Sequence, residues 1–212
     1  MKYRLIALAV ASAFAFGAQA ATDEQKQMAY QSIERNAAEI ATVSDALYYY
    51  AEPGMQEFES VKMLKEQLES IGFKVETGRA GMPTALWATW GSGKPHIAIV
   101  TEIDALPEGS QTPGSMPRKP LVSGAPGHME GHNVHGGVSV GALNAVKQVM
   151  EKYKIPGTVS VSFGPAEEQL VSRPFLVRSG QYRDLDGAVI IHIGDNFSTG
   201  YGLQNYAAIS AK

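Results

Sequence analysis

Apolar positions along this chain follow two periods in alternation. Ile33, Ala37, Ile40 and Leu47 recur at helical spacing until Pro53-Gly54 stops the run. Thr22-Asp23-Glu24-Gln25 ahead of them reads as a capping box, which predicts where that helical run starts. A second helix is expected over about 60–71, with Val61, Leu64, Leu68 and Ile71 on one face and Gly72 as its stop. Residues 73–77 then alternate as a half-buried strand, and 84–90 predict another, ended by Gly91-Ser92-Gly93. His96-Ile97-Ala98-Ile99-Val100-Thr101 is almost continuously apolar, the pattern of a strand covered on both faces. Beyond a Gly-, Pro- and Ser-rich loop at 108–127, a helix is expected over 138–153 and a strand over 158–163. Another helix is expected over 170–179 despite Pro174, then a buried strand over 188–193. Strands alternating with helices predict an α/β fold, a layered sheet with a mostly parallel core flanked by helices.

The first twenty residues need a different explanation. Lys2 and Arg4 precede an apolar run, Leu5 to Phe16, interrupted only by Ser12, and Ala18-Gln19-Ala20 is a small-residue cleavage site. A membrane anchor is the competing reading, but about 12 apolar residues fall short of the roughly 20 that a span requires. A signal peptide over 1–20 is therefore expected, with the mature protein in the periplasm or outside the cell and not stably inserted in a membrane. Its removal takes Lys plus Arg from 18 to 16 against 21 acids, a net charge of −5. That balance carries no basic footprint, so nucleic acid is excluded as an expected partner. Cysteine is absent, which rules out disulfides and thiolate chemistry.

Polar residues concentrate just after the predicted strands, where open α/β sheets bind their ligands. Glu102 and Asp104 stand one residue apart and share a face if the segment is extended. His128, Glu130, His132 and His135 place three of the five histidines within eight residues, together with a carboxylate. These are ligand types for Zn²⁺ or a similar ion. The spacing does not fit HExxH, and Pro126, Gly127 and Gly131 argue against a helix at this point. Glu167-Glu168 puts two carboxylates side by side, so that one could bind metal while its neighbour acts as general base. His192 ends an aliphatic run. Singly, each has a plainer reading: a solvated turn, a Gly-rich loop, an acidic turn, a core histidine. Together they supply enough ligands for two metals.

Several stretches resemble the metal-dependent amidohydrolases that include aminoacylase, carboxypeptidase G and hippurate hydrolase, in particular the p-aminobenzoyl-glutamate hydrolase B-subunit type. They are Ala51-Glu52-Pro53-Gly54-Met55-Gln56-Glu57-Phe58, Gly81-Met82-Pro83-Thr84-Ala85, Gly91-Ser92-Gly93-Lys94-Pro95, Glu102-Ile103-Asp104-Ala105-Leu106-Pro107, Gly127-His128-Met129-Glu130-Gly131-His132-Asn133 and Pro165-Ala166-Glu167-Glu168. The resemblance implies a zinc-peptidase-like catalytic domain holding two divalent ions, Zn or Mn. His132, Glu168 and His192 would be ligands. Glu167 would be the general base on a metal-activated water, and Asp104 would orient a ligand imidazole. Many relatives have cysteine where this chain has Glu130. A carboxylate there is expected to be a ligand as well, and to favour harder ions such as Mn²⁺.

The expected activity is hydrolysis of an amide bond in a small molecule: an N-acyl amino acid, an aminobenzoyl-glutamate-like conjugate or a dipeptide. By the same resemblance, 21–204 would be the first part of the catalytic domain and 205–212 the start of a lid and dimerisation domain, with a homodimer in the longer form. The alternative is a metal-binding or interaction protein derived from such an enzyme and without activity. A solute-binding protein is weaker, since it has no use for Glu167-Glu168 beside three histidines.

Overall fold

The computed structural model describes residues 20–194, so the expected signal segment before Ala20 and the expected lid segment at 205–212 lie outside the described residues. The capping box forms as predicted. Thr22 Oγ1 accepts from the Gln25 amide at 3.2 Å, and the Gln25 side chain accepts from the Thr22 amide at 2.9 Å. The expected single helical run is in fact two helices, α1 (Asp23–Arg35) and α2 (Ala37–Tyr50). Asn36 divides them, because its side-chain amide donates to the Ser32 carbonyl at 2.7 Å and its backbone leaves helical geometry.

The third helix, α3 (Phe58–Ser70), starts where Glu52 folds back, its carboxylate accepting from the amides of Glu59 and Ser60, both at 2.9 Å. The strands are β1 (Lys74–Thr77), β2 (Leu86–Ser92), β3 (His96–Thr101), β4 (Gly157–Phe163) and β5 (Gly187–Ile190). They form one sheet in the order β1-β2-β4-β3-β5. The core β4-β3-β5 is parallel, while β1 and β2 join it antiparallel. The long helix α4 (His132–Tyr153) connects β3 to β4, and the short α5 (Ser172–Arg178) precedes β5. Pro174 is tolerated in α5 because it lies in the first turn, where an amide has no intrahelical partner.

Leu47, Leu64, Leu68, Leu86, Val161 and Phe163 pack between the helices and the sheet. The expected full cover of β3 and β5 is not found. Val189 and Ile190 are 52% and 72% exposed, and β5 stops at Ile190. An apolar groove lined by Ile97, Ile99, Val146, Met150, Val189 and Ile191 runs beside α4, so that face of the sheet is only partly covered. Strand register decides where the chemistry falls. Thr101 pairs with Phe163 and Val100 with Ile190, so the three parallel strands end level along one edge. Glu102 and Asp104 follow β3, Glu167 and Glu168 follow β4, and His192 follows β5.

Candidate metal centre

At that edge α4 begins, contrary to the expectation that no helix would form around His132. Gly131, at φ 85° in the left-handed region, caps the helix instead of preventing it. His132 and His135 then stand three residues apart in its first turn and share a face. Both are 1% exposed. With His192 they form a triangle of rings whose centroids are 5.1 Å apart for His132 and His135, 5.4 Å for His132 and His192, and 4.9 Å for His135 and His192.

Among the described residues, two groups of ligand atoms meet on His132. Glu102, His132 and His192 form one, and Glu130, His132 and Glu168 the other, with the atoms of each group within 4.8 Å of one another. His132 Nε2 is buried and has no hydrogen-bond partner. A buried imidazole nitrogen without a partner, facing carboxylates, is what a metal ligand requires and what a core histidine avoids. On the other ring edge, His132 Nδ1 lies 3.0 Å from the Asp104 carbonyl oxygen and 3.6 Å from its carboxylate. Asp104 is 1% exposed and its Oδ2 also accepts from the Glu168 amide at 3.1 Å. It therefore orients two of the expected ligands at once. These residues fit a pair of divalent ions held by nitrogen and oxygen donors.

Electrostatics follow from so many carboxylates at low exposure. Burial first, then the charge of Glu130, pushes the Glu168 carboxyl up to about 7. Burial alone would lower His132, but its bond to Asp104 and the charges of Glu102, Asp104 and Glu168 raise it to about 9. Glu167, in the single 3-10 turn after β4, is raised by burial and then by Glu102. It belongs to neither ligand group.

His128 does not join the site. Its Nε2 lies 3.1 Å from the Leu47 carbonyl oxygen, and burial, with the charge of His132, lowers it to about 4, so it is neutral and structural. Three residues assigned no role from the sequence do join. Glu102, 2% exposed, lies 3.2 Å from His135 Nδ1 and pairs through its other oxygen with Arg173. His135 Nε2 accepts from the Ile193 amide at 3.2 Å, which fixes the segment carrying His192. The spacing of Glu102 and Asp104 and the run of histidines were the available signals for two of them; nothing in the sequence marked Arg173.

This edge is lined by carboxylates and imidazoles that could hold divalent ions, at the ends of the parallel strands of a mixed sheet. Residues 98–205, half of the sequence, match Peptidase family M20/M25/M40, and the chain belongs to that family. Among curated relatives, it is 35% identical over 161 residues to the B-subunit of p-aminobenzoyl-glutamate hydrolase of Escherichia coli, covering 76% of this chain and 34% of the relative. It is 26% identical to indole-3-acetyl-aspartic acid hydrolase of Enterobacter agglomerans, covering 76% and 47%. Among solved structures, the Bacillus subtilis YXEP protein, described as a dinuclear metal-binding peptidase of the M20 family, aligns with a TM-score of 0.64 and 25% identity. That alignment covers 75% of this chain and 43% of YXEP. The chain thus spans between a third and a half of the length of these relatives.

Proposed function

We propose that this chain carries the metal-binding part of an amidohydrolase that cleaves small N-acyl amino acids or aminobenzoyl-glutamate-like conjugates. The observation that carries the reading is the pair of ligand groups sharing His132, whose Nε2 is buried without another partner. Glu102, Glu130, His132, Glu168 and His192 would hold two divalent ions, Zn or Mn. Such ions, when bound, polarise an amide carbonyl and lower the pKa of water.

The remaining work falls to the chain's own side chains. Glu167 stands beside the groups without joining them and is half-buried, and its raised proton affinity suits a carboxylate that takes a proton from water and returns it to the leaving amine. Asp104 holds the His132 ring and the Glu168 backbone in register. The substrate class rests on the names of the relatives, and a periplasmic or extracellular location rests on the pattern of residues 1–20. Among the described residues no helix is long and apolar enough to cross a membrane.

The test is metal per chain after equilibration with Zn²⁺ or Mn²⁺ and removal of the excess, followed by hydrolysis assays on p-aminobenzoyl-glutamate and N-acyl amino acids. Close to two ions per chain, with turnover that Glu167→Ala abolishes while the metal stays bound, is the expected result. Metal without turnover would select the inactive metal-binding alternative. No retained metal would overturn both metal-binding readings and leave only the interaction protein.

A further inference from the structure

Among the described residues, Glu57 is the least exposed carboxylate outside the ligand groups, at 0%. It sits just before α3 and reaches two other segments. Its Oε2 accepts from the Thr84 hydroxyl at 2.7 Å, and its Oε1 accepts from the backbone amide of Ala166 at 2.9 Å. Ala166 immediately precedes Glu167 and Glu168 and is itself fully buried.

The turn that Ala166 opens carries backbone bonds of its own, Leu170 to Glu167 at 2.8 Å and Gln169 to Ala166 at 3.3 Å, but it is strained at both ends. Ala166 lies at φ 53° and Leu170 at φ 55°, both in the left-handed region that residues with a Cβ avoid. Between them only three residues, Glu167–Gln169, form a 3-10 turn. Strained backbone of this kind persists where its surroundings over-determine it. Here the surroundings are two buried carboxylates gripping successive points of the turn, Glu57 on the Ala166 amide and Asp104 Oδ2 on the Glu168 amide. Gly54, on the same segment as Glu57, packs so closely that a Cβ there would fall 2.7 Å from Ala166 Cα.

We propose that Glu57 is a positioning residue for the metal centre: by accepting from the Ala166 amide it fixes the turn that presents Glu167 and Glu168. This rests on the reading of those two residues given above. Glu57 touches neither ion nor substrate and acts only through the backbone it holds.

The test uses the full chain with Glu57→Leu and Glu57→Gln. Zn²⁺ affinity is read by competition with a chelating indicator, and amide exchange is read at Ala166 and, as an internal reference for global opening, at Val161 in β4. Glu57→Leu should weaken Zn²⁺ binding about tenfold, the scale seen when groups that orient metal ligands are removed. It should also speed exchange at Ala166 more than at Val161. A glutamine side chain keeps an oxygen that can accept from the Ala166 amide, so Glu57→Gln should stay within about threefold of the parent in affinity.

Equal losses in the two variants, or a Glu57→Leu affinity within about threefold of the parent, would overturn the proposal. If Glu57→Leu does not fold, Glu57→Asp, one methylene too short to span both partners, decides by the same readings and should show the losses expected of the leucine variant. If the parent itself binds no Zn²⁺, the functional reading fails, and exchange at Ala166 alone decides whether Glu57 holds the turn.

Discussion

Helices α2 and α4 meet backbone to side chain at Gly137, and that contact supports the whole centre because α4 carries His132 and His135 in its first turn. A Cβ built on Gly137 would lie 2.5 Å from the Ile40 carbonyl oxygen and also strike Ser44 Oγ. Ordinary Cβ contacts begin near 3.4 Å, so Gly137→Ala forces the helices apart by about 1 Å at this point. Overpacking of this kind costs about 1–3 kcal/mol, and because the obstacle is backbone the upper half of that range applies. Replacing a helical glycine by alanine returns about 1 kcal/mol. The net loss expected for Gly137→Ala is therefore about 1–2 kcal/mol.

Gly141 supplies the contrast on the same helix. There the added Cβ meets the end of the Ile40 side chain, which can rotate away, so Gly141→Ala should fall within about 0.5 kcal/mol of the parent. Urea unfolding of the full chain without metal measures both, and the comparison holds if the slopes agree. Gly137→Ala should also bind Zn²⁺ more weakly, because the displacement is passed along α4 to His132. Equal stability of Gly137→Ala and Gly141→Ala at unchanged slope would mean that the Ile40 carbonyl does not set the spacing of the two helices.

Two further outcomes follow from the ligand groups. Glu130→Ala should lower metal content from about two ions toward one, since Glu130 belongs to only one of the two groups; content unchanged by elemental analysis would remove it from the site. Between pH 7 and 9 the metal-free chain should lose stability as pH rises. His132 is raised from 6.5 to about 9, so its contribution is fully present below 6.5 and disappears as pH climbs through 9. Glu168, raised from 4.5 to about 7, keeps a proton in the folded chain that the unfolded chain has released, and it acts in the same direction up to about pH 7. His128, lowered from 6.5 to about 4, is neutral in the folded state across this window, while about a quarter of it is still protonated at pH 7 in the unfolded chain, so it opposes them only weakly and only near pH 7. Thermal melting in chelator at pH 7 and pH 9 checks the sign, and a melting temperature that rises with pH would contradict it.

Local patterns in the sequence anticipated local structure. The Thr22 capping box, the alternation at 73–77 and the strand before Glu102 all depend on residues within a few positions of one another. Features that depend on contacts across the chain stayed hidden. Asn36 is a local exception, an ordinary helical position to the eye until its amide is seen bonding the Ser32 carbonyl four residues before it. Gly131 reads as a helix breaker, and it caps α4 from the left-handed region that glycine enters freely. The exposure of β5 could not be read from Val189-Ile190-Ile191, whose composition is that of a covered strand. At the site, residue type and the family resemblance pointed to Glu130, His132, Glu167, Glu168 and His192, which the fold brings to one edge of the sheet. Glu102 and His135 are 33 positions apart and Glu102 and Arg173 are 71 apart, so neither partnership leaves a mark on spacing.

What unites these residues is an imbalance of charge that the fold holds in place. Glu102 and Asp104 are almost fully buried, and the charges of Glu130, Asp104 and Glu167 add to burial in raising the proton affinity of Glu168. Against them stand Arg173, whose guanidinium pairs with Glu102, and His132, held as imidazolium well above neutral pH. Protons on His132 and, in part, on Glu168 thus offset negative charge at the atoms that make up the two ligand groups. Divalent cations would displace those protons, so uptake should become tighter as pH rises through 7 toward 9, opposite in sign to the stability of the metal-free chain. The donors are nitrogen and oxygen with no sulfur, which admits Mn²⁺ as well as Zn²⁺. On the proposed reading, the carboxylate at position 130 would bear on which ion is held, while the crowding of Glu102, Asp104 and Glu168 favours a cation between them.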